Sequence, residues 1–221
     1  MRDYPLLINL CDRLCVVVGG GTVGRRKCTG LLAAGARVRL VDPQPLATAL
    51  TDRVEHRCRP YHPDDLRDAL LVFAATDDPY LNQAVAAEAR RRGALVNLPG
   101  DPAGGDFTLP AVLRRGELTL AVSTGGGSPA LARWLKQQLD QWLPEHWTAI
   151  LLILSAVREK RLAAADCSIG PGQEVDELFK GGLVELVAAG QVEAVDRLLK
   201  NTLGENFSLA ALAVDLPSGA R

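Results

Sequence analysis

Two glycine-rich loops are the first candidates for chemistry in this chain. Residues 19–24 read GGGTVG after three valines, and residues 123–129 read STGGGSP. Backbone N–H groups exposed at the start of a helix bind anions such as phosphates and carboxylates. Both loops are therefore candidate sites for an anionic ligand.

The first loop has the spacing G-x-G-x-x-G through Gly19, Gly21 and Gly24. In a dinucleotide site these glycines permit a tight turn, close approach of a pyrophosphate, and close packing of the following helix. Asp42 lies 18 residues after Gly24, at the end of the next predicted strand, where an acidic residue binds the ribose hydroxyls. A simple strand-to-helix turn is the alternative interpretation of the triple glycine.

The charge of Asp42 favours NAD over NADP, because it would repel a 2′-phosphate. Three basic residues, Arg25, Arg26 and Lys27, follow the loop and can soften that repulsion. The sequence therefore predicts NAD as the preferred cofactor.

Strand and helix patterns alternate through the first half of the chain. This rhythm predicts an α/β fold, a Rossmann-type doubly wound parallel sheet. The predicted strands are 14–18, 37–41, 54–59, 69–75 and 95–97, and the predicted helices are 23–34 and 80–92.

The second half has a different pattern. The loop PGDPAGGD at residues 99–106 ends the alternation, and residues 107–110 and 117–123 look extended. From residue 129 onward, apolar residues recur at helical spacing. We expect a nucleotide-binding domain over 1–113, a small connecting and dimerisation segment over 114–143, and an all-helical C-terminal part over 144–221.

Composition excludes several classes of protein. The 221 residues carry a formal net charge of −1, which gives no basic field for nucleic acid. No apolar run approaches the roughly 20 residues of a membrane span, and no signal peptide is recognisable. Five cysteines and three histidines show no spacing typical of a metal site. We expect a cytoplasmic protein with no structural metal and no disulfide framework.

Four stretches together resemble the precorrin-2 dehydrogenase family, the dehydrogenase module of sirohaem synthases. They are VVVGGGTVGRRK (16–27), FAATDDPYLNQAV (73–85), the segment from Asn97 to Pro110, and LAVSTGGGSPALARWLK (120–136). The combination is specific, because ordinary dinucleotide-binding enzymes do not carry the second and fourth stretches.

The resemblance implies a reaction and an assembly. Precorrin-2, a reduced tetrapyrrole with eight carboxylates, loses a hydride to NAD+ and a proton, which gives sirohydrochlorin. The family forms homodimers through the C-terminal part, and some members also insert ferrous iron.

The resemblance also implies roles for individual residues. Thr124 matches a position beside the substrate and is also a catalytic candidate. Three further substrate-binding candidates rest on their chemistry: Asn97 ends a strand at the same crevice, Gly125 offers a backbone N–H to a carboxylate, and Arg133 offers a guanidinium. A plain strand-end asparagine is the alternative interpretation of Asn97. The positions that match the family's cofactor contacts are Gly19, Gly20, Gly21, Thr22, Val23, Asp42, Pro43, Ala75, Thr76 and Asp77.

One position departs from the family. The family usually places its proposed acid–base aspartate three residues after the strand-end asparagine, where this chain has Gly100. Asp101 follows directly and is the candidate catalytic carboxylate; Asp106 is the weaker alternative. Because the residue proposed for iron insertion is the one replaced, we favour a dehydrogenase alone. A bifunctional dehydrogenase and ferrochelatase, and a non-catalytic NAD-binding redox sensor, are the alternatives.

Overall fold

The computed structural model describes residues 3–46, 50, 52–101, 103–163 and 172–216. The chain divides into two compact units, Met1–Leu109 and Pro110–Arg221. The predicted boundary after residue 113 would cut a strand, Ala111–Arg115, which pairs with Leu118–Val122 in the second unit. The segment 114–143 and the helical part after it both lie in that unit.

The first unit is built on a parallel sheet of five strands in the order β3-β2-β1-β4-β5. From β1 the chain first adds β2 and β3 on one side of the sheet and then β4 and β5 on the other side. This order confirms the doubly wound sheet predicted from the sequence. The strands are β1 Leu14–Val18, β2 Arg37–Val41, β3 Glu55–Arg57, β4 Leu71–Ala74 and β5 Leu95–Asn97.

Two helices of this unit follow directly from the sequence. Helix α1 spans Thr22–Ala33 after β1, and α2 spans Pro79–Arg91 after β4. Asp78 is the N-cap of α2, because its carboxylate accepts hydrogen bonds from the N–H groups of Tyr80 and Leu81. Pro79 occupies the first helical position, where its missing N–H costs nothing.

The centre of the sheet is covered on both faces. Every residue of β1 and β4 is buried, as expected for parallel strands between layers of helices. One apolar cluster contains Val16, Val72 and Val96, and a second contains Val17, Leu40 and Phe73. Packing of these two clusters fixes the position of the strands. The glycine loop and the polar residues that end the strands lie at the carboxyl edge of the sheet.

The second unit begins with an antiparallel hairpin and continues in helices. The hairpin consists of β6 Ala111–Arg115 and β7 Leu118–Val122. The helices are α3 Pro129–Trp142, α4 Trp147–Ala163, α5 Gln173–Lys180, α6 Leu183–Ala188 and α7 Val192–Leu203. Ile153, Leu178 and Leu199 are fully buried within the core that α4 to α7 share.

Candidate cofactor site

The first glycine loop packs tightly against the turn that follows β4. Gly19 has φ +104°, and a Cβ there would lie 2.4 Å from the carbonyl oxygen of Ala75. A Cβ on Gly24 would lie 1.8 Å from the carbonyl oxygen of Gly19. Both positions therefore exclude any side chain, which explains two of the three glycines of the motif.

Asp42 is fixed at the end of β2 by backbone donors. The N–H of Gly20 donates to one carboxylate oxygen at 2.5 Å, and the N–H of Gln44 donates to the other at 2.7 Å. A carboxylate has about four acceptor positions, so Asp42 keeps capacity for further donors. The two backbone hydrogen bonds thus fix the orientation of the carboxylate beside the glycine loop.

The ATD turn after β4 is locked by a residue that the sequence analysis did not single out. The side-chain oxygen of Asn82 accepts hydrogen bonds from the N–H and hydroxyl of Thr76, and its NH₂ group donates to the Thr76 carbonyl. Asn82 stands in the quoted stretch FAATDDPYLNQAV, and its position in the first turns of α2 was the available signal. Thr76 therefore holds the turn, whereas Asp77 is exposed.

A cleft of about 240 Å³ lies beside these elements. Four of the predicted cofactor-binding residues line it: Gly20, Gly21, Asp42 and Asp77. Gly19 is buried in the loop and packs against the turn that contains Ala75 and Thr76. Thr22, Val23 and Pro43 are exposed residues next to the lining ones. Six further residues complete the lining, namely Arg25, Leu40, Gln44, Pro45, Leu46 and His56.

The three basic residues after the loop have different positions. Arg25 lines the cleft, and its Nε donates to the carbonyl of Gly20 at 2.7 Å. Lys27 instead lies over the ring of Phe73, and burial, with a smaller effect of the neighbouring charge of Arg26, lowers its pKa. Among the three, Arg25 is the residue placed to act on a ligand in the cleft.

The end of β5 and the loop after it hold the predicted catalytic carboxylate. Asn97 is 7% exposed; its NH₂ group donates to the Phe107 carbonyl, and its Oδ1 has no partner among the described residues. Asp101 is exposed, and its carboxylate accepts from the N–H of Gly104 and the side chain of Gln83. Gly100 has φ +93°, a conformation that glycine adopts without strain.

Asp106 has a structural environment. Its carboxylate forms an ion pair with Arg90 at 2.9 Å and accepts a hydrogen bond from the N–H of Val96. Asp106 thus joins the loop to α2 and to β5. Of the two candidate carboxylates in this segment, Asp101 is the one without an ion pair in the described part of the chain.

The second glycine loop forms the start of α3 in the other unit. Thr124 accepts a hydrogen bond from the N–H of Ser128, and Ser128 caps the helix by accepting from the N–H of Leu131. Gly125 has φ +58°, and its N–H donates to Ser123. Arg133 is exposed on the second turn of α3, and no ion pair of Arg133 occurs within the described residues.

The described part of the chain has neither a metal-binding cluster nor a membrane-spanning helix. It contains no group of three or more His, Cys, Asp or Glu side chains arranged to hold a metal ion. No helix in it has the length and apolar character needed to cross a membrane. Four of the five cysteines are described, and all four are free thiols; Cys167 lies outside the described residues.

Two family models match consecutive parts of the chain. A model for putative NAD(P)-binding domains matches residues 6–111, and a model for the central part of sirohaem biosynthesis proteins matches residues 115–141. The first match contains the whole sheet and the cleft. The second contains β7, the second glycine loop and most of α3.

Curated relatives are sirohaem synthases. That of Methylobacillus flagellatus is 35% identical over 211 residues, which are 92% of this chain and 44% of the relative. That of Nitrosomonas eutropha is 33% identical, over 93% of this chain and 44% of the relative. The chain thus spans less than half the length of these relatives.

A solved structure has the same extent as this chain. The precorrin-2 dehydrogenase SirC aligns over 90% of this chain and 98% of its own, with a TM-score of 0.62 and 25% identity. The fold, the two family models and the sirohaem synthases agree with the resemblance carried by the four sequence stretches. The chain therefore belongs to the precorrin-2 dehydrogenase family, the family of the dehydrogenase part of sirohaem synthases.

Proposed function

We propose that this protein catalyses the NAD-dependent dehydrogenation of precorrin-2 to sirohydrochlorin. The observation that carries the proposal is the cleft in which Asp42, held by two backbone N–H groups, faces the start of α1. The chain that forms this cleft belongs to a family that includes SirC, a precorrin-2 dehydrogenase.

The residues of the cleft fit a dinucleotide. The glycine loop leaves no Cβ between the backbone and a pyrophosphate, and the free N–H groups at the start of α1 favour an anion. Asp42 suits the ribose hydroxyls and repels a 2′-phosphate, so NAD is the cofactor we propose. When bound, NAD+ accepts the hydride that leaves precorrin-2.

The chain must supply a base for the proton that is lost with the hydride. We assign this role to Asp101, because Asp106 is bound in an ion pair with Arg90, whereas Asp101 accepts from neutral donors. A carboxylate stabilises the cation that hydride loss leaves and then takes its proton. Thr124 is the second catalytic candidate.

Four residues are candidates for holding the substrate: Asn97, Thr124, Gly125 and Arg133. The exposed guanidinium of Arg133 suits a carboxylate, since it can bind both oxygens at once. The Oδ1 of Asn97, which has no partner among the described residues, can accept from an N–H group. A substrate with eight carboxylates needs donors such as the Arg133 guanidinium on the protein.

We also propose a cytoplasmic homodimer. Trp142 and Trp134 on α3 are 69% and 54% exposed, which is unusual for aromatic side chains of this size. Sedimentation equilibrium tests the dimer: replacing both tryptophans with serine should weaken association. A wild-type protein that sediments as a monomer would contradict it.

The enzymatic test uses precorrin-2 generated in situ, with NAD+ or NADP+ supplied, and follows the reduced nicotinamide and sirohydrochlorin. We expect turnover with NAD+ and its loss in Asp101→Asn, while Asp68→Asn, a matched exposed aspartate, keeps wild-type activity. Equal activity of both variants would show that Asp101 is not the catalytic base, while the proposed dehydrogenase activity would still stand.

The same assay distinguishes a dehydrogenase alone from the two alternatives, the bifunctional ferrochelatase and the non-catalytic redox sensor. Addition of Fe²⁺ to the sirohydrochlorin product reveals a ferrochelatase if the metal is inserted faster than without protein. NAD binding without any turnover would instead indicate the redox sensor.

A further inference from the structure

His56 is a polar residue in the cleft to which neither the motifs nor the family resemblance gives a role. It is the central residue of β3 and lies in register with Leu40 of β2. Its Nε2 is buried and has no hydrogen-bond partner among the described residues. A buried polar atom without a partner is costly, so such an atom in a cleft indicates that a ligand supplies the partner.

The surroundings of His56 suit a flat heterocycle. Residues opposite each other on neighbouring parallel strands face the same side of the sheet, so His56 and Leu40 lie side by side in the cleft lining. Pro45 and Leu46, from the segment after β2, add apolar lining. This part of the cleft thus combines apolar walls with one unpartnered ring nitrogen.

The other polar groups of the cleft suit parts of a dinucleotide other than its bases. The start of α1 suits the pyrophosphate, and Asp42 suits the ribose. Of the two heterocycles of the cofactor, adenine is the one attached to the ribose that Asp42 suits, and its edge offers both an amino donor and ring-nitrogen acceptors. A neutral imidazole can pair with either, since Nε2 donates in one tautomer and accepts in the other.

We propose that His56 recognises the adenine base of the cofactor through a hydrogen bond from or to Nε2. The inference rests on the dinucleotide site of the proposed function and adds a residue that binds its adenine end. His56 then acts in cofactor binding, and the hydride transfer step does not depend on it.

The test is calorimetric titration of the protein with 5′-AMP and with NAD+. We expect His56→Leu to weaken AMP and NAD+ binding by about tenfold, the equivalent of one hydrogen bond in a desolvated site. His56→Gln should retain most of the affinity, because its side-chain amide can place a polar atom near the position of Nε2. His62→Asn is the matched control: His62 is exposed, is absent from the cleft lining, and caps a short 3₁₀ helix as asparagine can.

A second readout separates binding from folding. Leucine removes an unpartnered buried nitrogen, so the unliganded His56→Leu protein should unfold at no lower temperature than wild type while binding AMP less well. In the wild-type protein, the imidazole NMR signals of His56 should shift on addition of AMP, and those of His62 should not.

Two results would overturn the inference: AMP affinity of His56→Leu equal to wild type, or no shift of the His56 signals at saturating AMP. The NMR result decides the matter even if His56→Leu does not fold. Failure of the wild-type protein to bind both AMP and NAD+ is a different outcome, and it would overturn the dinucleotide site itself.

Discussion

At the scale of single residues, Asp42 connects the sequence motif to cofactor choice. Its carboxylate is held by the N–H groups of Gly20 and Gln44. In the proposed complex with NAD, this charge would face the ribose of the cofactor and would repel a 2′-phosphate there. Asparagine removes the charge and keeps one acceptor oxygen, so it loses one of the two backbone hydrogen bonds together with the charge.

Asp42→Asn should therefore change the preference between cofactors. We expect the ratio of NAD+ to NADP+ affinity to fall by about tenfold, since a like charge near the 2′-phosphate is removed. Calorimetric titration with both cofactors measures the ratio. Asp52→Asn, which removes an exposed carboxylate that does not line the cleft, is the control. An unchanged ratio in Asp42→Asn would show that another residue sets the preference.

The location of Asp42 at a strand end and that of Asp78 before a helix follow from local sequence signals. Asp42 follows a strand that the valine pattern reveals, and Asp78 precedes a proline that can only start a helix. His56 and Gln44 were not predictable. His56 reaches the cleft only through the register of β3 on β2, and Gln44 contributes a backbone N–H that no side-chain type announces.

At the scale of elements, β1 and α1 carry two buried cysteines that report on the packing beneath the glycine loop. Cys15 and Cys28 are fully buried, and burial raises the pKa of both thiols to about 11. Cys11 and Cys58 are exposed. Because the thiolate is the reactive form, the two pairs should differ in reactivity.

Thiol labelling near neutral pH should modify Cys11 and Cys58 in the native protein, and Cys15 and Cys28 only after denaturation. Peptide mapping identifies the labelled residues. The raised pKa values also predict a pH effect: the stabilising effect of the neutral thiols is complete below the unfolded pKa of 9.0 and is lost as pH rises toward about 11. Rapid native labelling of Cys15 or Cys28 would contradict the packing of α1 on β1.

Asn82 shows how one helix positions the neighbouring turn. From α2 it exchanges hydrogen bonds with both the backbone and the hydroxyl of Thr76. Gly19 is packed directly against this turn, so a change at Asn82 should reach the glycine loop.

Asn82→Ala should destabilise the protein by about 1–3 kcal/mol, the cost of unsatisfied polar groups, and should weaken NAD+ binding as well. Urea denaturation and calorimetric titration measure the two effects. Gln83→Ala is the control, because the neighbouring Gln83 is exposed and contacts Asp101 instead of the ATD turn. If Asn82→Ala binds NAD+ as wild type does, the turn does not position the loop.

The elements were predicted unevenly. The central strands β1 and β4 could be identified because they are continuous apolar runs, whereas β3, Glu55–Arg57, contains no apolar residue and gives a weak signal. The strand Ala111–Arg115 was not predicted, since it follows Pro110 and ends in two arginines, and only its antiparallel partner stabilises it. Asp101 was chosen by chemical type, and its hydrogen bond to the N–H of Gly104 arises from the local fold of the loop.

At the scale of the whole molecule, each unit has its own apolar core. The sheet unit contains the clusters around Val16 and Val17, and the second unit contains the cluster around Ile153. The cofactor cleft lies within the first unit. Damage to the second core should therefore leave the cleft in place.

Leu199→Ala should destabilise the second unit by about 2–5 kcal/mol, because Leu199 is fully buried in α7. AMP affinity, measured by titration at low temperature, should stay at the wild-type value. Leu66→Ala provides the comparison, since Leu66 is equally buried in the first unit and should weaken AMP binding on partial unfolding. Loss of AMP binding in Leu199→Ala would show that the cleft depends on the second unit.

The most direct test of the proposed function is the stoichiometry of the reaction catalysed by the wild-type protein. Precorrin-2 is generated in situ, NAD+ is added, and reduced nicotinamide and sirohydrochlorin are quantified in the same sample. The account predicts one reduced nicotinamide for each sirohydrochlorin formed, and neither product with Gly19→Val, whose side chain would collide with the carbonyl of Ala75. Sirohydrochlorin formed without reduced nicotinamide, or no turnover by a protein that binds NAD+, would contradict it.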